Sequence, residues 1–494
     1  MRASRREFLG RSVAAAGGLG FLAKLGPVSA EEAKLPASLV KYGGGVEATV
    51  KLLEETPREK LLEEVGDRIK RGLSYRELLA ALLVAGVRNV QPRPQVGFKF
   101  HAVLVINSAH LASMASPAED RWLPIFWALD RFKSAQMETL KESGWRMGKV
   151  EEGKVPPGSK AKSAFVAAME AWDEEAADAA AAGLARTASR NECFELFVRY
   201  GARDWRDIGH KAIFVANSFR TLECVGWQHA EPVLRSLAYA LLKYDGENPA
   251  KSDQAADRPG RRNAELVKKI RADWQDGKAS DAASLHLLET LRTASSEEMC
   301  AAVVEALNKG VAAGSIWDAL LAGSAELLTR KTGIVTLHSV TSSNALRFAY
   351  ETSSDPQTRL MMLLQNAAFV PLFRGAAGKL SDRKIDAMEG TEGKVDVAAV
   401  FANVGKDRPA AAGRALAYLD GGGDAGALMN QARRLVFLKG NDAHDYKFSS
   451  AVLEDYAHVS GKWRNRFLAS SLFYLPGEDA KENRLVGRVR AAVG

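Results

Sequence analysis

The stretch SYRELLAALL, residues 74–83, carries the pattern that decides the fold. Ser74 is a favourable N-cap residue, and Glu77 stands three positions later, so the two side chains can cap the first turn of a helix reciprocally. Leucines follow at helical spacing, at positions 78, 79, 82 and 83. The stretch therefore predicts an α-helix that starts directly after Ser74 and buries one apolar face.

The same kind of helix start recurs along the chain, whereas the alternating pattern of a β-strand is hard to find. Asp355-Pro356 predicts a further start, because proline is well suited to the first helical position. Lys309-Gly310 is a typical helix stop. We therefore predict an all-α fold, a multi-helical bundle around a central cavity. The other capped starts are Thr56-Pro57-Arg58-Glu59, Ser116-Pro117-Ala118-Glu119 and Ser295-Ser296-Glu297-Glu298.

Three stretches have the composition of loops or linkers: residues 149–162, 245–262 and 375–394. The second is polar and contains two prolines, so it offers a boundary between two helical lobes near the middle of the chain. No sequence consensus repeats at a period of about 34–47 residues, so a regular helical solenoid is not predicted.

The first thirty residues have the pattern of a twin-arginine (Tat) export signal. Arg5 and Arg6 form the arginine pair, a weakly apolar Ala- and Gly-rich stretch follows, and Val28-Ser29-Ala30 is a small-residue cleavage pattern. We predict that residues 1–30 are this signal, that the Tat translocase exports the chain, and that the body, residues 31–494, resides in the periplasm or outside the cell. An uncleaved amphipathic anchor is the alternative, but the apolar stretch is far shorter than the ~20 residues of a membrane span.

The charge and the cysteines exclude several functions. The 494-residue chain has a formal net charge of +8, of which residues 1–30 hold +4, from five basic residues and one acid, leaving +4 for the body. No block of like charges occurs, so nucleic-acid binding is not predicted. No further segment has the apolar length of a membrane span, so none is predicted after cleavage. The cysteines, at 193, 224 and 300, form no haem-attachment motif and are predicted to be small buried residues.

Four of the eight histidines stand in similar contexts: His101, His210, His338 and His444 each precede an apolar segment rich in Ala and Ser. Imidazole is a common metal ligand and a general acid or base near neutral pH. If these segments are helices that converge, the four imidazoles can hold iron, copper, zinc or manganese. The alternative is that each histidine is hydrogen-bonded separately on its own helix.

Polar residues follow two of these histidines at helical spacing. Asn217 stands seven positions after His210, and Asn344 stands six after His338. Arg220 comes three positions after Asn217. Residues seven apart lie on the same side of a helix, two turns along. We therefore expect His210, Asn217 and Cys224 to line one face of their helix.

The patterns of several common enzyme classes are absent from the sequence. It has no Gly-x-Ser-x-Gly elbow, no Walker loop, and no Gly-x-Gly-x-x-Gly after a strand. It also has no His-Glu-x-x-His and no Glu-x-x-His pair of the di-iron kind. Serine-hydrolase chemistry and Rossmann-type nucleotide binding are therefore not predicted.

At these histidines the chain resembles the questin oxidase-like family, through short motifs in the same order over about residues 75–460. Two positions differ from that family: Phe100 precedes His101 where the family has Asn, and Ile213 stands where a second His often follows. The matching motifs are Gly209-His210-Lys211-Ala212-Ile213 through Glu223 with Pro232 to Ala238 after it, His338-Ser339-Val340-Thr341 with Ala345-Leu346 after it, and His444-Asp445-Tyr446-Lys447.

The resemblance implies a largely helical protein and an oxidoreductase activity. Members of the family are linked to the oxygenative ring opening of anthraquinones, which uses NADPH and oxygen. We therefore expect an exported oxygenase-type oxidoreductase that acts on an aromatic or polyketide-like small molecule. The predicted catalytic and metal-binding residues are His101, His210, His338 and His444, and the predicted substrate-binding residues are Asn217, Arg220, Asn344 and Lys447.

Two other functions remain open from the sequence. One is a periplasmic binding or scaffold protein without chemistry, which predicts scattered histidines that are each bonded to a nearby backbone carbonyl. The other is a hydrolase with a metal-activated water, which needs neither oxygen nor electrons.

Overall fold

The computed structural model describes residues 45–92, 98–242, 247–402 and 404–493. These ranges are helical, and their extended pairing is limited to an isolated bridge between Lys278 and Val311. The predicted all-α, multi-helical fold is confirmed. Residues 1–30, with Arg5 and Arg6, lie outside the described residues.

The helices of the first half begin near the N-terminal end of the described chain. They are α1 (Gly45–Glu55), α2 (Arg58–Lys70), α3 (Tyr75–Asn89), α4 (His101–Leu104), α5 (Ile106–Ala115), α6 (Leu123–Glu142), α7 (Gly158–Ala171), α8 (Glu174–Thr187), α9 (Arg190–Gly201), α10 (His210–Val225) and α11 (Ala230–Leu242).

The helices of the second half follow the segment around residue 250. They are α12 (Arg258–Val267), α13 (Asp281–Leu291), α14 (Ser296–Asn308), α15 (Ala313–Arg330), α16 (Ile334–Thr352), α17 (Pro356–Ala377), α18 (Val397–Phe401), α19 (Arg408–Asp420), α20 (Ala425–Lys439), α21 (Ala443–Asp455), α22 (Gly461–Ser470) and α23 (Leu485–Val493). Short 3₁₀ turns connect some of them: Phe98–Phe100, Ala118–Asp120, Glu152–Lys154, Arg206–Gly209, Trp227–His229, Trp274–Asp276 and Ser471–Phe473.

Most of the predicted helix ends are confirmed. The hydroxyl of Ser74 accepts a hydrogen bond from the backbone N–H of Glu77 at 3.2 Å, at the start of α3. Ser295 forms a capping box with Glu298, and the Asp355 carboxylate caps α17. α14 ends before Gly310, whose φ of +80° suits the residue after a helix.

Three predicted details are wrong. Glu77 does not complete a capping box with Ser74, and its carboxylate accepts a hydrogen bond from the Thr49 hydroxyl at 2.9 Å instead. The Ser116 hydroxyl donates to the carbonyl of Ala112 and so ends α5, and the next α-helix begins only at Leu123, after a 3₁₀ turn. A serine can bond back to the preceding turn as readily as it caps the next one. At the start of α2 the helix is present, but Pro57 is the N-cap and no side chain caps it.

Two of the predicted loops, 149–162 and 375–394, are shorter than expected because a helix extends into each. Helix α7 already begins at Gly158, and helix α17 continues to Ala377. Residues Val46–Gly494 form one compact unit, and the predicted lobe boundary at 245–262 falls within it. There, α12 begins at Arg258 and packs against α14 and α17.

Helix α16 is central to the packing around the histidines. Every residue from Thr336 to Arg347 is buried, and the helix packs against α10, α15, α17 and α21. Small residues dominate this part of α16 and allow the neighbouring helices to approach closely. Among the described helices, none is both long and apolar enough to cross a membrane.

A candidate metal centre of four histidines

The four histidines that the sequence singles out come together in the interior. One nitrogen from each of His101, His210, His338 and His444 lies within 4.8 Å of the other three. The Nε2 atoms of His210 and His101 are 3.1 Å apart, and those of His210 and His338 are 2.9 Å apart. The scattered arrangement that a scaffold without chemistry predicts is therefore not found.

The convergence follows from where each histidine lies on its helix. His101 and His210 are the first residues of α4 and α10, His444 is the second residue of α21, and His338 lies one turn into α16. Helices α10 and α21 each pack against both α16 and α4. Helix starts from distant parts of the chain thus carry the imidazoles to one point.

Three of the imidazoles are fixed through their Nδ1 atoms. Nδ1 of His210 lies 2.6 Å from the backbone carbonyl of Asp207, and Nδ1 of His338 lies 2.7 Å from that of Ile334. Nδ1 of His444 lies 2.5 Å from the carboxylate of Asp442. A carbonyl or carboxylate oxygen only accepts, so each Nδ1 carries the proton. In the neutral rings the Nε2 atoms then hold lone pairs.

Two Nε2 lone pairs therefore face each other across 2.9 Å, on His210 and His338, with no proton to share. Such a pair is repulsive unless a cation lies beside it. Metal-bound histidines usually donate their other N–H to a carbonyl or carboxylate, as these do. Two nitrogens bound to one ion at about 2.0–2.1 Å lie at most about 4.2 Å apart. The His210–His101 and His210–His338 pairs fall inside that limit, whereas the four-nitrogen set spans up to 4.8 Å. The chemistry of the donor set thus fits a transition metal ion, and binding by all four rings requires the most widely spaced of them to move closer.

The side chain of Lys447 completes the cluster. Its Nζ lies 3.0 Å from Nε2 of His338 and 3.4 Å from Nε2 of His101. Burial lowers the pKa of Lys447 to about 7. Burial also holds the pKa values of His210 and His338 well below their usual range, and the charge of Lys447 lowers them further. The imidazoles of His210 and His338 are therefore neutral at pH 7, which is the form that binds metals.

A strained turn presents the acceptor for His210. Asp207, Ile208 and Gly209 have φ values of +55°, +45° and +78°, in the left-handed region that side chains other than glycine rarely adopt. For a β-branched residue such as Ile208 this conformation is a true outlier. Strain of this kind persists where the surrounding structure enforces it, and it concentrates at functional sites.

The centre is shielded from solvent. His101 and His210 are each 3% exposed and His338 is 0% exposed. The side chain of His444 is 13% exposed, so solvent reaches the cluster from its side. The sequence analysis predicts a central cavity beside the histidines, and a cavity there that is large enough for a substrate stays a prediction.

Three of the predicted substrate-binding residues, Asn217, Arg220 and Asn344, lie in a second cluster. The Arg220 guanidinium donates to Asn217 and Asn344, each at 3.1 Å, and forms a double hydrogen bond with Glu454 at 2.8 and 2.7 Å. The Asn344 amide also donates to Asp455 at 3.0 Å. This second cluster joins α10, α16 and α21.

Several residues of both clusters were not predicted from the sequence. Asp442 stands two positions before His444, and a carboxylate at a helix start beside a histidine is a signal that the sequence contained. Glu454 and Asp455 lie two turns after Lys447 on α21, which periodicity also indicates. No sequence pattern indicates the carbonyl of Asp207.

The cysteines take no part in the centre. All three are free thiols; Cys193 and Cys300 are buried, as predicted, and Cys224 is partly exposed. Burial raises the pKa of Cys300 to about 11, so its reactive thiolate is scarce at neutral pH.

No protein-family model matches the chain, and neither the curated proteins nor the solved structures contain a match. Membership of the questin oxidase-like family therefore stays a prediction.

Proposed function

We propose that the protein binds one transition metal ion through Nε2 of His101, His210, His338 and His444, and that it is an oxidoreductase for a small aromatic or polyketide-like molecule. One observation carries the metal proposal: the Nε2 atoms of His210 and His338 are 2.9 Å apart, and their lone pairs face each other. Their Nδ1 atoms are both committed to backbone carbonyls, so a cation stabilises this arrangement. The Lys447 ammonium, 3.0 Å from Nε2 of His338, supplies part of that stabilisation, and a metal ion bound by both nitrogens would supply more.

The ligand chemistry favours a redox metal or zinc. Four imidazole ligands without a carboxylate among them suit iron, copper and zinc. A bound iron or copper would supply the oxygen or electron chemistry of an oxygenase, and the resemblance of the sequence motifs supports that choice over zinc. The same resemblance suggests NADPH as the reductant.

The chain's own residues hold the reaction site in place and keep it dry. Asp442 orients the His444 ring, and the turn at 207–209 orients the His210 ring. With a pKa of about 7, Lys447 can hold or release a proton at its Nζ beside the imidazoles near neutral pH. Burial of three imidazoles keeps bulk water away from that proton.

The metal content of the purified protein tests the proposal. Elemental analysis and an absorption spectrum are recorded for the wild type, for His210→Ala and for His286→Ala. His286 is exposed and lies outside the cluster, so its variant is the matched control. We expect about one equivalent of metal in the wild type and the control, and less than a fifth of that in His210→Ala.

Each result of this experiment has one interpretation. Iron, copper or manganese that is lost in His210→Ala supports the oxidoreductase. Stoichiometric zinc favours the hydrolase with a metal-activated water. Wild-type protein that stays metal-free after incubation with each of these ions refutes the metal proposal and favours a binding or scaffold protein.

We also propose that the Tat pathway exports the protein to the periplasm or beyond. A reporter fused to residues 1–30 is expected to be exported, and replacement of Arg5 and Arg6 by lysine is expected to retain it in the cytoplasm. Export of the double-lysine fusion at the wild-type level would contradict a Tat signal.

A further inference from the structure

An open groove lies between α20 and the segment that joins α5 to α6. Its volume is about 470 Å³, within the usual range of small-molecule sites. Helix α20 contributes Ala427, Asn430, Arg434 and Leu438, which are spaced three or four residues apart and therefore share one face. No histidine of the metal centre lines this groove.

The groove has apolar walls. Leu123 comes from the start of α6, Val397 from α18, and Phe437 and Leu438 from α20. The Phe437 ring packs against Tyr446, with a centroid distance of 4.5 Å, so this wall is rigidly supported. A rigid aromatic and aliphatic wall suits the flat or branched hydrocarbon part of a ligand.

Arg433 brings an uncompensated charge to the groove. Its Nη1 donates to Asn430 Oδ1 at 3.2 Å, and no carboxylate oxygen of the described residues forms an ion pair with it. Burial lowers the pKa of Arg433, and no opposite charge offsets that burial. A partly desolvated guanidinium without an anion is costly, and an arriving carboxylate would relieve that cost with two parallel hydrogen bonds.

Among the residues that the structure describes, the other charges at the groove cancel, which leaves a net charge of +1. Nε of Arg434 lies 3.6 Å from the carboxylate of Asp120, so these two residues compensate each other. At the rim of the groove, the exposed carboxylate of Glu478 accepts a hydrogen bond from Gln431 at 3.1 Å. The ammonium of Lys439 donates to the backbone carbonyl of Glu478, so these two opposite charges compensate each other. The remaining charge, that of Arg433, matches a monoanion better than a doubly charged phosphate.

We propose that this groove binds a small organic monocarboxylate with an aromatic or branched apolar body, whose carboxylate pairs with Arg433. The walls at Leu123, Val397 and Phe437 take the apolar body. This proposal does not rest on the metal centre.

Calorimetric titration with 2-naphthoate, and with its uncharged isostere 2-naphthamide, tests the proposal. We expect one saturable site for 2-naphthoate on the wild type and at least tenfold weaker binding of 2-naphthamide. Arg433→Met is expected to weaken 2-naphthoate binding at least tenfold. Arg414→Met is the matched control, because Arg414 is also partly buried but does not line the groove, and its affinity should stay within twofold of the wild type.

Two further variants keep the test decisive. Ala427→Trp fills the groove without touching its charges and should abolish binding, even if Arg433→Met fails to fold. His210→Ala should bind 2-naphthoate as the wild type does, which separates this site from the metal centre. Absence of binding to the wild type at millimolar ligand, equal affinity for the amide, or full binding by Ala427→Trp would each overturn the proposal.

Discussion

Gly209 connects the backbone strain before α10 to the metal centre, and its replacement by alanine tests that connection. Its φ is +78°, and a Cβ placed there would lie 2.5 Å from the Ser342 hydroxyl oxygen and 2.9 Å from the Ser342 Cβ. Alanine at this position therefore meets both an unfavourable backbone conformation and a collision with α16, against which the turn packs.

Both costs can be estimated. The left-handed conformation costs a residue other than glycine about 1–2 kcal/mol. Forcing extra atoms into a packed contact costs about 1–3 kcal/mol. We therefore expect Gly209→Ala to lower the free energy of unfolding by about 2–5 kcal/mol. Because the turn also holds the acceptor for His210, metal affinity should fall as well.

Urea unfolding of the metal-free proteins, followed by circular dichroism, measures the effect without a contribution from bound metal. Gly314→Ala is the control, because Gly314 lies in the first turn of α15 with no atom near its added Cβ. That variant should be as stable as the wild type or up to about 1 kcal/mol more stable. In Gly209→Ala/Ser342→Gly the collision is gone, so a coupling energy of about 1–3 kcal/mol should appear in the double-mutant cycle.

A loss of less than about 0.5 kcal/mol in Gly209→Ala would contradict the close approach of the turn to α16. If Gly209→Ala lowers the free energy of unfolding as expected but the double-mutant cycle shows no coupling energy with Ser342, the whole effect comes from the backbone conformation. In that case the packing of the turn against α16 does not hold His210.

Three further predictions concern the residues around the centre. Asp442→Asn keeps an N-cap residue but removes the charge that orients His444, so chelator competition should show metal affinity lower by about 10- to 100-fold, while the thermal midpoint is nearly unchanged. Arg220→Met should lower the free energy of unfolding in urea by about 3 kcal/mol, with metal content unchanged. This is the lower end of the range for breaking a buried ion pair, because the Glu454 side chain is 30% exposed. Burial, with the charge of Glu454, raises the pKa of Asp455 to about 8, so the folded state binds the extra proton and the contribution of Asp455 to stability should fall from about pH 4 to pH 8. The free energy of unfolding of the wild type minus that of Asp455→Asn should therefore decrease across this range in paired unfolding curves, and a difference that does not change with pH would contradict the raised pKa.

Local sequence rules predicted the helices well where one side chain decides the helix start. Ser295 and Asp355 cap helices as expected, because capping depends on a few neighbouring atoms. Ser116 shows the limit of the rule. Its hydroxyl bonds back to Ala112 in the structure, and the sequence cannot say which of the two helices a serine between them will serve.

The centre was predictable in part because its histidines share a position on their helices. His101, His210 and His444 begin helices and His338 lies one turn into one, so similar sequence contexts mark similar places in the packing. The carbonyl of Asp207 and the left-handed turn were not predictable, because they arise from the way α10 meets α16.

The same helical geometry explains why three predicted substrate residues lie elsewhere. A residue seven positions along a helix shares the face but lies about 10 Å further along the axis. Where helix starts converge, residues two turns later converge with one another, in a second layer. Asn217, Arg220 and Asn344 meet Glu454 there, whereas Lys447, one turn after His444, stays in the first layer.

This two-layer arrangement separates the determinants of stability from those of metal binding. The second layer contains an ion pair between α10 and α21, to which Asn344 of α16 is hydrogen-bonded, so its loss changes the free energy of unfolding. The first layer has the neutral imidazoles of His210 and His338 and a lysine of lowered pKa, and Asp442 there contacts His444, so a change in this layer mainly alters what the site binds. Asp442→Asn and Arg220→Met are therefore expected to have opposite profiles, one in metal affinity and the other in stability. If both variants lost metal and stability in the same proportion, the two layers would be a single cooperative unit and this separation would be wrong.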